Sequence, residues 1–161
     1  YINDYLTLIK FEEGATTIKD VVSSIDNYIK KNGNVDMIVV DYIDCIRHTT
    51  TTKDFWQGES EVVNELENYV VRNNCCLWTA VQTNRSGLNA DESDMTQIAG
   101  SKKKLDKASM VVFLSRNREQ MLSGVATMKI TKNRNGFKEE ARNFTYDPYT
   151  MLIKTDEIIT L

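Results

Sequence analysis

Two polar side chains that could bind a phosphate and its metal follow apolar runs of the sequence. Asp41 comes directly after Met37–Val40, a run of four apolar residues that predicts a strand buried on both faces. A carboxylate at the carboxyl end of such a strand lies where open α/β sheets bind ligands. Beside a phosphate it could hold Mg²⁺ through the metal's water shell, which is the Walker B arrangement. The alternative is that Asp41 only caps a turn, because an apolar run followed by Asp is common in α/β proteins.

Gln82 ends a second apolar run, Cys75–Val81, which predicts another fully buried strand with Trp78 in the core. Neighbouring parallel strands end at the same edge of a sheet, so Asp41 and Gln82 would share that edge. Gln82 could donate an amide hydrogen to a phosphate oxygen, or it could simply cap its strand. Two polar residues at one edge favour a nucleotide-binding edge over two separate caps.

Two basic clusters could bind anions. Lys132 and Arg134 are two residues apart in KNRNG, and therefore lie on the same face of a strand. The motif contains no acidic partner, so an incoming anion would offset their repulsion; the alternative is an ordinary solvated hairpin. Lys102–Lys104 in GSKKK could bind an anion or form a solvated helix face, since at most two of three consecutive helical residues face one way.

The first half of the chain predicts alternating strands and helices. The alternating pattern of Tyr5–Phe11 predicts a strand. Thr17 fits a helix N-cap, with Asp20 in the capping-box position, and Gly33 ends that helix. With Met37–Val40 this makes a strand–helix–strand crossover, the unit of a parallel sheet. A second amphipathic helix then precedes the strand that ends at Gln82.

The last third of the chain predicts a β-meander. Asn135–Gly136 between alternating runs is the strongest short hairpin signal. The predicted strands of this part are a third buried strand at Met110–Leu114, a hairpin of Thr127–Arg134 with Glu140–Tyr146, and a last strand at Thr150–Lys154.

Composition excludes several classes of protein. The 161 residues are 41% apolar and 27% charged with a net charge of −3, which indicates a globular chain without an overall basic signature for nucleic acid. No apolar stretch reaches transmembrane length. The three cysteines lack metal spacing and fit a reducing cytoplasm. His48, the only histidine, has no second ligand nearby and is interpreted as a loop residue.

Four motifs, taken in order, resemble the C-terminal half of a DnaB-type replicative helicase, in particular its phage-encoded branch. They are VDMIVVDYIDCI, LWTAVQTNRSG, SDMTQIAGSKKKLDKASMVVFLSRN and MKITKNRNG. No single motif is decisive, but four in the family's order at similar spacing are specific. The resemblance spans roughly Leu6–Tyr146.

The resemblance implies roles for individual residues. Asp41 matches the Walker B aspartate, which holds Mg²⁺ through water, and Gln82 matches the glutamine that senses the γ-phosphate. Lys132 and Arg134 match the basic pair that reaches the ATP site of the neighbouring subunit. Catalytic roles are therefore expected for all four. The implied DNA-binding residues are Arg85, Gln97, Gly100, Ser101, Lys102 and Lys103.

The resemblance also implies a fold, cofactors and partners. Residues 1–161 would form a single, partial RecA-like P-loop NTPase domain of the α/β class. Its mostly parallel, twisted sheet would be flanked by helices and followed by a C-terminal β-hairpin or meander. ATP and Mg²⁺ would be the cofactors. The parent protein would be a cytoplasmic ring, a hexamer, that moves on single-stranded DNA with a primase and a helicase loader as partners, inside a bacterial host if phage-encoded.

One departure from the family qualifies these expectations. The chain has no GxxxxGK[ST] motif, because none of its seven glycines precedes a lysine. The family's P-loop and catalytic glutamate would lie upstream of the first residue, so we expect a fragment that is inactive alone. Two alternatives remain: a RecA-type recombinase or clock-like ATPase without unwinding activity, and a non-catalytic interaction fragment.

Overall fold

The computed structural model describes residues 5–49, 55–82, 102–136 and 141–155. The chain divides into two compact units, Tyr1–Gln82 and Thr83–Leu161, and each is described by itself. The elements of the first unit, in order, are helix α1 (Ile18–Asn32), strand β1 (Met37–Val40), a 3-10 turn (Ile43–Cys45), helix α2 (Phe55–Arg72) and strand β2 (Cys76–Thr79).

Helix α1 begins and ends where its sequence predicts. The Asp20 amide donates to the Thr17 hydroxyl oxygen over 3.4 Å, and the Thr17 amide donates to the Asp20 carboxylate over 2.8 Å, so the predicted capping box is formed. At the other end Gly33 adopts a φ of 94°, a value that few other residues tolerate, and its amide donates to Ile29. Lys30 and Lys31 in the last turn complement the helix dipole.

The two strands of the first unit are parallel neighbours. Met37 pairs with Cys76 and Val40 pairs with Thr79, so β1, α2 and β2 form a strand–helix–strand crossover. Apolar side chains of both helices pack against this sheet. The buried residues of this core are Ile18, Val21, Ile25, Ile38, Ile43, Val62, Leu66 and Tyr69.

Complete burial of these two strands is a wrong prediction. Ile38 is buried, but Val39 is 67% exposed and Trp78, predicted to lie in the core, is 47% exposed. Successive side chains of a strand point to opposite faces, and the core forms on the face that carries Ile38. In the described residues the opposite face, with Val39 and Trp78, stays accessible.

The strand predicted at Tyr5–Phe11 is also absent, so the opening crossover is not formed. This segment has an alternating pattern but pairs with no strand of the described chain, and Leu8 is 86% exposed. Backbone hydrogen bonds fix the chain only further along the sequence. The Arg47 amide donates to the Thr16 carbonyl over 2.9 Å, and the Ile18 amide donates to the Arg47 carbonyl over 3.0 Å. Alternation without a pairing partner is not sufficient to form a strand.

The second unit is built on an antiparallel sheet. Its elements are α3 (Lys102–Lys107), β3 (Met110–Ser115), α4 (Arg118–Ser123), β4 (Val125–Asn133), β5 (Ala141–Asp147) and β6 (Leu152–Lys154). The four strands follow one another as β3-β4-β5-β6, each antiparallel to its neighbour. The predicted C-terminal meander is therefore confirmed. The expectation of a mostly parallel sheet is not, since among the described strands only β1 and β2 pair in parallel.

The predicted hairpin of β4 with β5 forms. Among the described residues its pairing runs from Val125 and Thr145 to Lys129 and Ala141, and this register is centred on Asn135, in agreement with the predicted turn at Asn135–Gly136. Residues 137–140 lie outside the described residues, and on its other side β4 pairs with β3 as far as Asn133. The third strand, predicted as buried, alternates: Val111 and Phe113 are buried, whereas Met110 and Leu114 are exposed.

Helix α4 was not predicted, although the sequence carries its signals. The Gln120 amide donates to the Asn117 side chain and the Gln120 side chain accepts from the Asn117 amide, which forms a second capping box. Gly124 ends the helix in the left-handed conformation.

In the described residues no helix is both long and apolar enough to cross a membrane.

We predict that Thr17→Ala lowers the free energy of unfolding by about 1 kcal/mol near pH 7, because the variant loses a helix N-cap. The pKa of Asp20 is lowered by hydrogen bonds from Thr17, so its contribution is present above the ordinary pKa of 3.8 and disappears as pH falls through the lowered folded value. The difference from wild type should therefore shrink in acid. Urea unfolding followed by circular dichroism measures this, with Ser23→Ala on the exposed face of α1 as the control. An equal loss in both variants would contradict a capping role.

Candidate functional site

The parallel pairing of β1 and β2 determines the position of the first group of candidate residues, Asp41 and Gln82. Val40 and Thr79 are paired at the ends of the two strands, Asp41 follows Val40, and Gln82 lies three residues after Thr79. Both polar residues therefore follow the carboxyl ends of neighbouring parallel strands, at the edge where such sheets bind ligands.

Three hydrogen bonds join the two chain segments that leave this edge. The Thr79 hydroxyl donates to the Val40 carbonyl over 2.9 Å, and the Ile43 amide donates to the Ala80 carbonyl over 3.4 Å. The Gln82 amide donates to a carboxylate oxygen of Asp44, also over 3.4 Å. Ile43 is buried in the core beside these bonds, so the loop after β1 is fixed at both its backbone and its side chain.

Asp44 was missed as a residue of this edge. Its carboxylate accepts from the backbone amide of Gln82, so it orients a candidate residue. The sequence did offer one signal for Asp44 as a residue of this edge. It lies three residues after Asp41, on the loop that continues from the same strand.

The candidate side chains at this edge remain available. Asp41 and Gln82 are both exposed, and within the described ranges neither the carboxylate of Asp41 nor the side-chain amide of Gln82 has a hydrogen-bond partner. A turn cap would bond a nearby backbone amide, so this geometry gives no evidence for the capping alternative at either residue. A carboxylate without an internal partner fits outer-shell binding of Mg²⁺, which takes only one or two protein carboxylates.

A direct protein cage for a metal is absent from the part of the chain that the structure describes, since no three acidic, histidine or cysteine side chains cluster there. Beside Asp41, Tyr42 keeps its proton at neutral pH. A hydrogen bond with Cys45, together with the carboxylates of Glu13 and Asp44, raises the pKa of Tyr42 above its ordinary value of 10.0.

The basic pair lies in the second unit and binds the end of a helix. The ammonium of Lys132 donates to the carbonyl oxygens of Leu105 and Asp106, each over 2.8 Å. The guanidinium of Arg134 donates through Nη2 to the same Asp106 oxygen over 2.9 Å, and its backbone amide donates to Ser109. These acceptors lie in the last turn of α3, where carbonyl groups lack partners within the helix.

This arrangement corrects the expectation that only an external anion could offset the repulsion within the pair. The carboxyl end of a helix carries partial negative charge, so the last carbonyls of α3 stabilise both cations. Neither side chain simply projects into solvent from a hairpin tip, since Lys132 pairs with Val111 inside the sheet. Arg134 nevertheless remains exposed, and only one of its guanidinium nitrogens has a partner among the described residues.

The predicted DNA-binding residues are mostly beyond what the structure describes. Lys102 and Lys103 are the first two residues of helix α3, and in the sequence they directly follow Gly100 and Ser101. The side chains of these two lysines lie outside the described residues, and so do four further candidates, Arg85, Gln97, Gly100 and Ser101.

A groove of about 240 Å³ between α1 and α2 holds none of the candidate residues. Its lining carries both signs of charge: Lys19, Asp26 and Lys30 belong to α1, and Glu61 and Glu65 belong to α2. Nothing in this mixture favours a phosphate over a cation.

Comparisons with known proteins point to one family. The sequence model of the DnaB-like helicase C terminal domain matches residues 2–152, and no curated protein matches the chain. A DnaB-like replicative helicase, studied with its interactions with primase, has a similar structure with a TM-score of 0.74 and 13% identity over 86% of this chain. The solved ATPase domain of a phage protein gives a TM-score of 0.77 and 12% identity over 88% of this chain.

The chain spans 35% of the first of these proteins and 52% of the second. At such low identities the structural likeness shows the fold alone. The sequence model, however, covers nearly all of the chain, including β1, β2 and the basic pair. The chain therefore belongs to the DnaB-like helicase C-terminal domain family, whose members have a RecA-like ATPase domain.

Proposed function

We propose that this chain is part of the motor of a cytoplasmic, ring-shaped replicative helicase. The motor couples ATP hydrolysis at subunit interfaces to movement on single-stranded DNA and to unwinding of the duplex. The observation that carries the proposal is the match of residues 2–152 to the family model. The two available side chains at the carboxyl edge of β1 and β2 support it, because phosphoryl transfer needs positioned charge more than covalent chemistry.

Asp41 and Gln82 would serve the nucleotide bound at their own subunit. The Asp41 carboxylate would hold Mg²⁺ through water, and the metal, when bound, neutralises charge on the phosphates. The side-chain amide of Gln82 would donate to the γ-phosphate and relay its presence to the segment that begins at Thr83. The contact of its backbone with Asp44 would keep that amide at the sheet edge.

Lys132 and Arg134 would serve the nucleotide of the neighbouring subunit. A planar guanidinium with free N–H groups suits bidentate contact with a phosphate. Arg134 is exposed and keeps most of its donors free among the described residues, which supports this role.

The DNA would be bound by the segment around residues 96–103, through backbone amides and the lysines that open α3. Such contacts are independent of sequence and weaken with salt. A six-membered ring and a helicase loader follow from the family expectation. A primase is a further candidate partner, since one structurally similar protein was studied with its interactions with primase.

We predict that the 161-residue chain alone neither hydrolyses ATP nor binds it tightly. The P-loop amides and lysine, absent from this sequence, supply most of the phosphate contacts in such sites. Titration of a fluorescent ATP analogue with Mg²⁺ measures the affinity, and the longer parent protein is the positive control. Tight, metal-dependent binding by the chain alone would contradict the prediction.

We predict that Asp41→Asn in the full-length protein lowers ATP turnover by about 100-fold or more, the scale of losing one charge-stabilising group. The substitution keeps the shape of the side chain and removes the charge that helps to hold the metal, so folding should survive. Steady-state ATPase assays at saturating Mg²⁺ measure turnover. Asp36→Asn, at the amino end of β1 and exposed, is the matched control. Near-normal turnover in Asp41→Asn would leave Asp41 as a structural residue only.

We predict that Arg134 acts across a subunit interface. Arginine fingers contribute roughly three to five orders of magnitude in turnover, about 4–7 kcal/mol of barrier. Arg134→Ala and Asp41→Asn should each be nearly inactive in full-length rings. Mixed rings should recover part of the activity, because some of their sites contain both intact groups.

The mixing experiment needs two controls. Subunit exchange must be demonstrated by fluorescence transfer between labelled subunits, and Arg118→Ala, an exposed arginine at the start of α4, should retain turnover by itself. If subunits exchange and no activity returns, Arg134 is not part of the neighbour's ATP site.

A further inference from the structure

The sequence contains two Asn–Gly pairs, and the fold surrounds them differently. One is Asn32–Gly33 at the end of α1, and the other is Asn135–Gly136 just after β4. An asparagine side chain reacts most readily with the backbone nitrogen that follows it when the next residue is glycine, because no Cβ hinders the approach. Both pairs are exposed, so solvent access alone does not distinguish them as sites of this reaction.

The reaction is an intramolecular deamidation, one reason why asparagine is a thermolabile residue. The glycine nitrogen loses its proton to solvent and attacks the side-chain carbon Cγ of the asparagine. A bond between that nitrogen and Cγ forms, the bond between Cγ and Nδ2 breaks, and the leaving nitrogen takes a proton from water and departs as ammonia. Water then opens the cyclic imide to give aspartate or isoaspartate. Nothing is oxidised or reduced, and the net change consumes one water and releases one ammonia.

Two hydrogen bonds hold the reacting groups of the first pair. The Gly33 amide donates to the Ile29 carbonyl over 2.8 Å, and the side-chain amide of Asn32 donates to the Tyr28 carbonyl over 3.0 Å. A hydrogen-bonded amide exchanges its proton only when the bond opens. The end of α1 therefore protects the nucleophile of this pair and directs the side chain of Asn32 to the preceding turn of the helix.

The reacting groups of the second pair are not held in this way. Within the described ranges, neither the Gly136 amide nor the side-chain amide of Asn135 has a hydrogen-bond partner. The backbone amide of Asn135 donates to Oδ1 of Asn133 over 3.2 Å, which leaves the Asn135 side chain able to rotate. Strand β4 ends at Asn133, so this pair lies beyond the ladder of the sheet.

We propose that Asn135–Gly136 is a site of spontaneous deamidation, whereas the end of α1 protects Asn32–Gly33. The modification itself is independent of the proposed function. Its effect on turnover rests on that function, because the product is a carboxylate next to Arg134.

The new carboxylate changes the charge around the basic pair. KNRNG carries two positive charges and no negative one, so deamidation of Asn135 halves its net charge. Arg134 is exposed and uses only Nη2 among the described residues, so its other N–H groups can donate to a neighbouring carboxylate. An internal carboxylate therefore competes with a phosphate for the same donors, and the activity of the protein falls as the protein ages.

Ageing of the full-length protein at physiological temperature tests the site. Samples are digested at intervals, and peptide mass spectrometry follows the gain of about one dalton at each asparagine. In the folded protein Asn135 should deamidate at least about tenfold faster than Asn32, whose hydrogen bonds must open first. In urea, which removes these bonds, the two rates should agree within about threefold. Raising the pH by one unit should accelerate the reaction at Asn135 by up to about tenfold, because the deprotonated amide is the nucleophile.

Matched variants identify the reacting residue. Asn135→Gln lengthens the side chain and should abolish the gain in mass at this position, whereas Asn32→Gln should leave the deamidation of Asn135 unchanged. Gly136→Ala is unsuitable, because its Cβ would come within 2.6 Å of Nδ2 of Asn133. Asn135→Asp imitates one product and should lower ATP turnover by about fivefold, the scale of one exposed ion pair. Asn32→Asp should stay within about twofold of wild type.

The outcomes separate the site from its effect and from the proposed function. Equal rates at the two asparagines in the folded protein, or an Asn135 that reacts in urea but stays intact in the folded protein, overturn the site. Undiminished turnover in Asn135→Asp overturns the competition for Arg134 and leaves the site standing. A wild type without ATPase activity contradicts the proposed function, while the masses still decide whether Asn135 is modified.

Discussion

The parallel pairing of β1 with β2 is the constraint on which the first unit depends. Pairing of Val40 with Thr79 brings the ends of both strands to one edge, and burial of α1 and α2 against one face leaves that edge accessible. The Thr79 hydroxyl and the Asp44 carboxylate then hold the departing segments together. Main-chain pairing thus gives Asp41 and Gln82 their shared position. Their side chains stay available because the backbone groups beside them are bonded by Thr79 and Asp44.

Features encoded over a few residues were predictable from the sequence. The capping box at Thr17 and Asp20, the helix end at Gly33, and Asp41 at the end of a strand all depend on contacts between near neighbours in the chain. The same logic would have found α4 from Asn117 and Gln120. The shared edge of Asp41 and Gln82 was predictable because the carboxyl ends of neighbouring parallel strands coincide whatever the rest of the sheet does.

Features that depend on distant elements were not predictable. Trp78 lies in an apolar run, but its burial depends on whether another element covers its face of the sheet, and within the described residues none does. Tyr5–Phe11 alternates as a strand would, yet strand formation needs a partner with free backbone groups. The antiparallel meander was predictable from its hairpin signal, whereas the extent of the parallel sheet depends on distant strands, and among the described residues it has only two.

The basic pair shows why part of a candidate site escapes sequence reasoning altogether. The partners of Lys132 and Arg134 are backbone carbonyls of Leu105 and Asp106, and every residue type carries such a group. What makes these carbonyls special is that a helix ends there, so that their acceptors are unpaired and the dipole favours cations. The side-chain sequence therefore identifies the cations, whereas only the fold identifies what holds them. A search of the sequence for acidic partners overlooks these carbonyl acceptors. It therefore treats two cations that are bound to the end of α3 as if they had no partner.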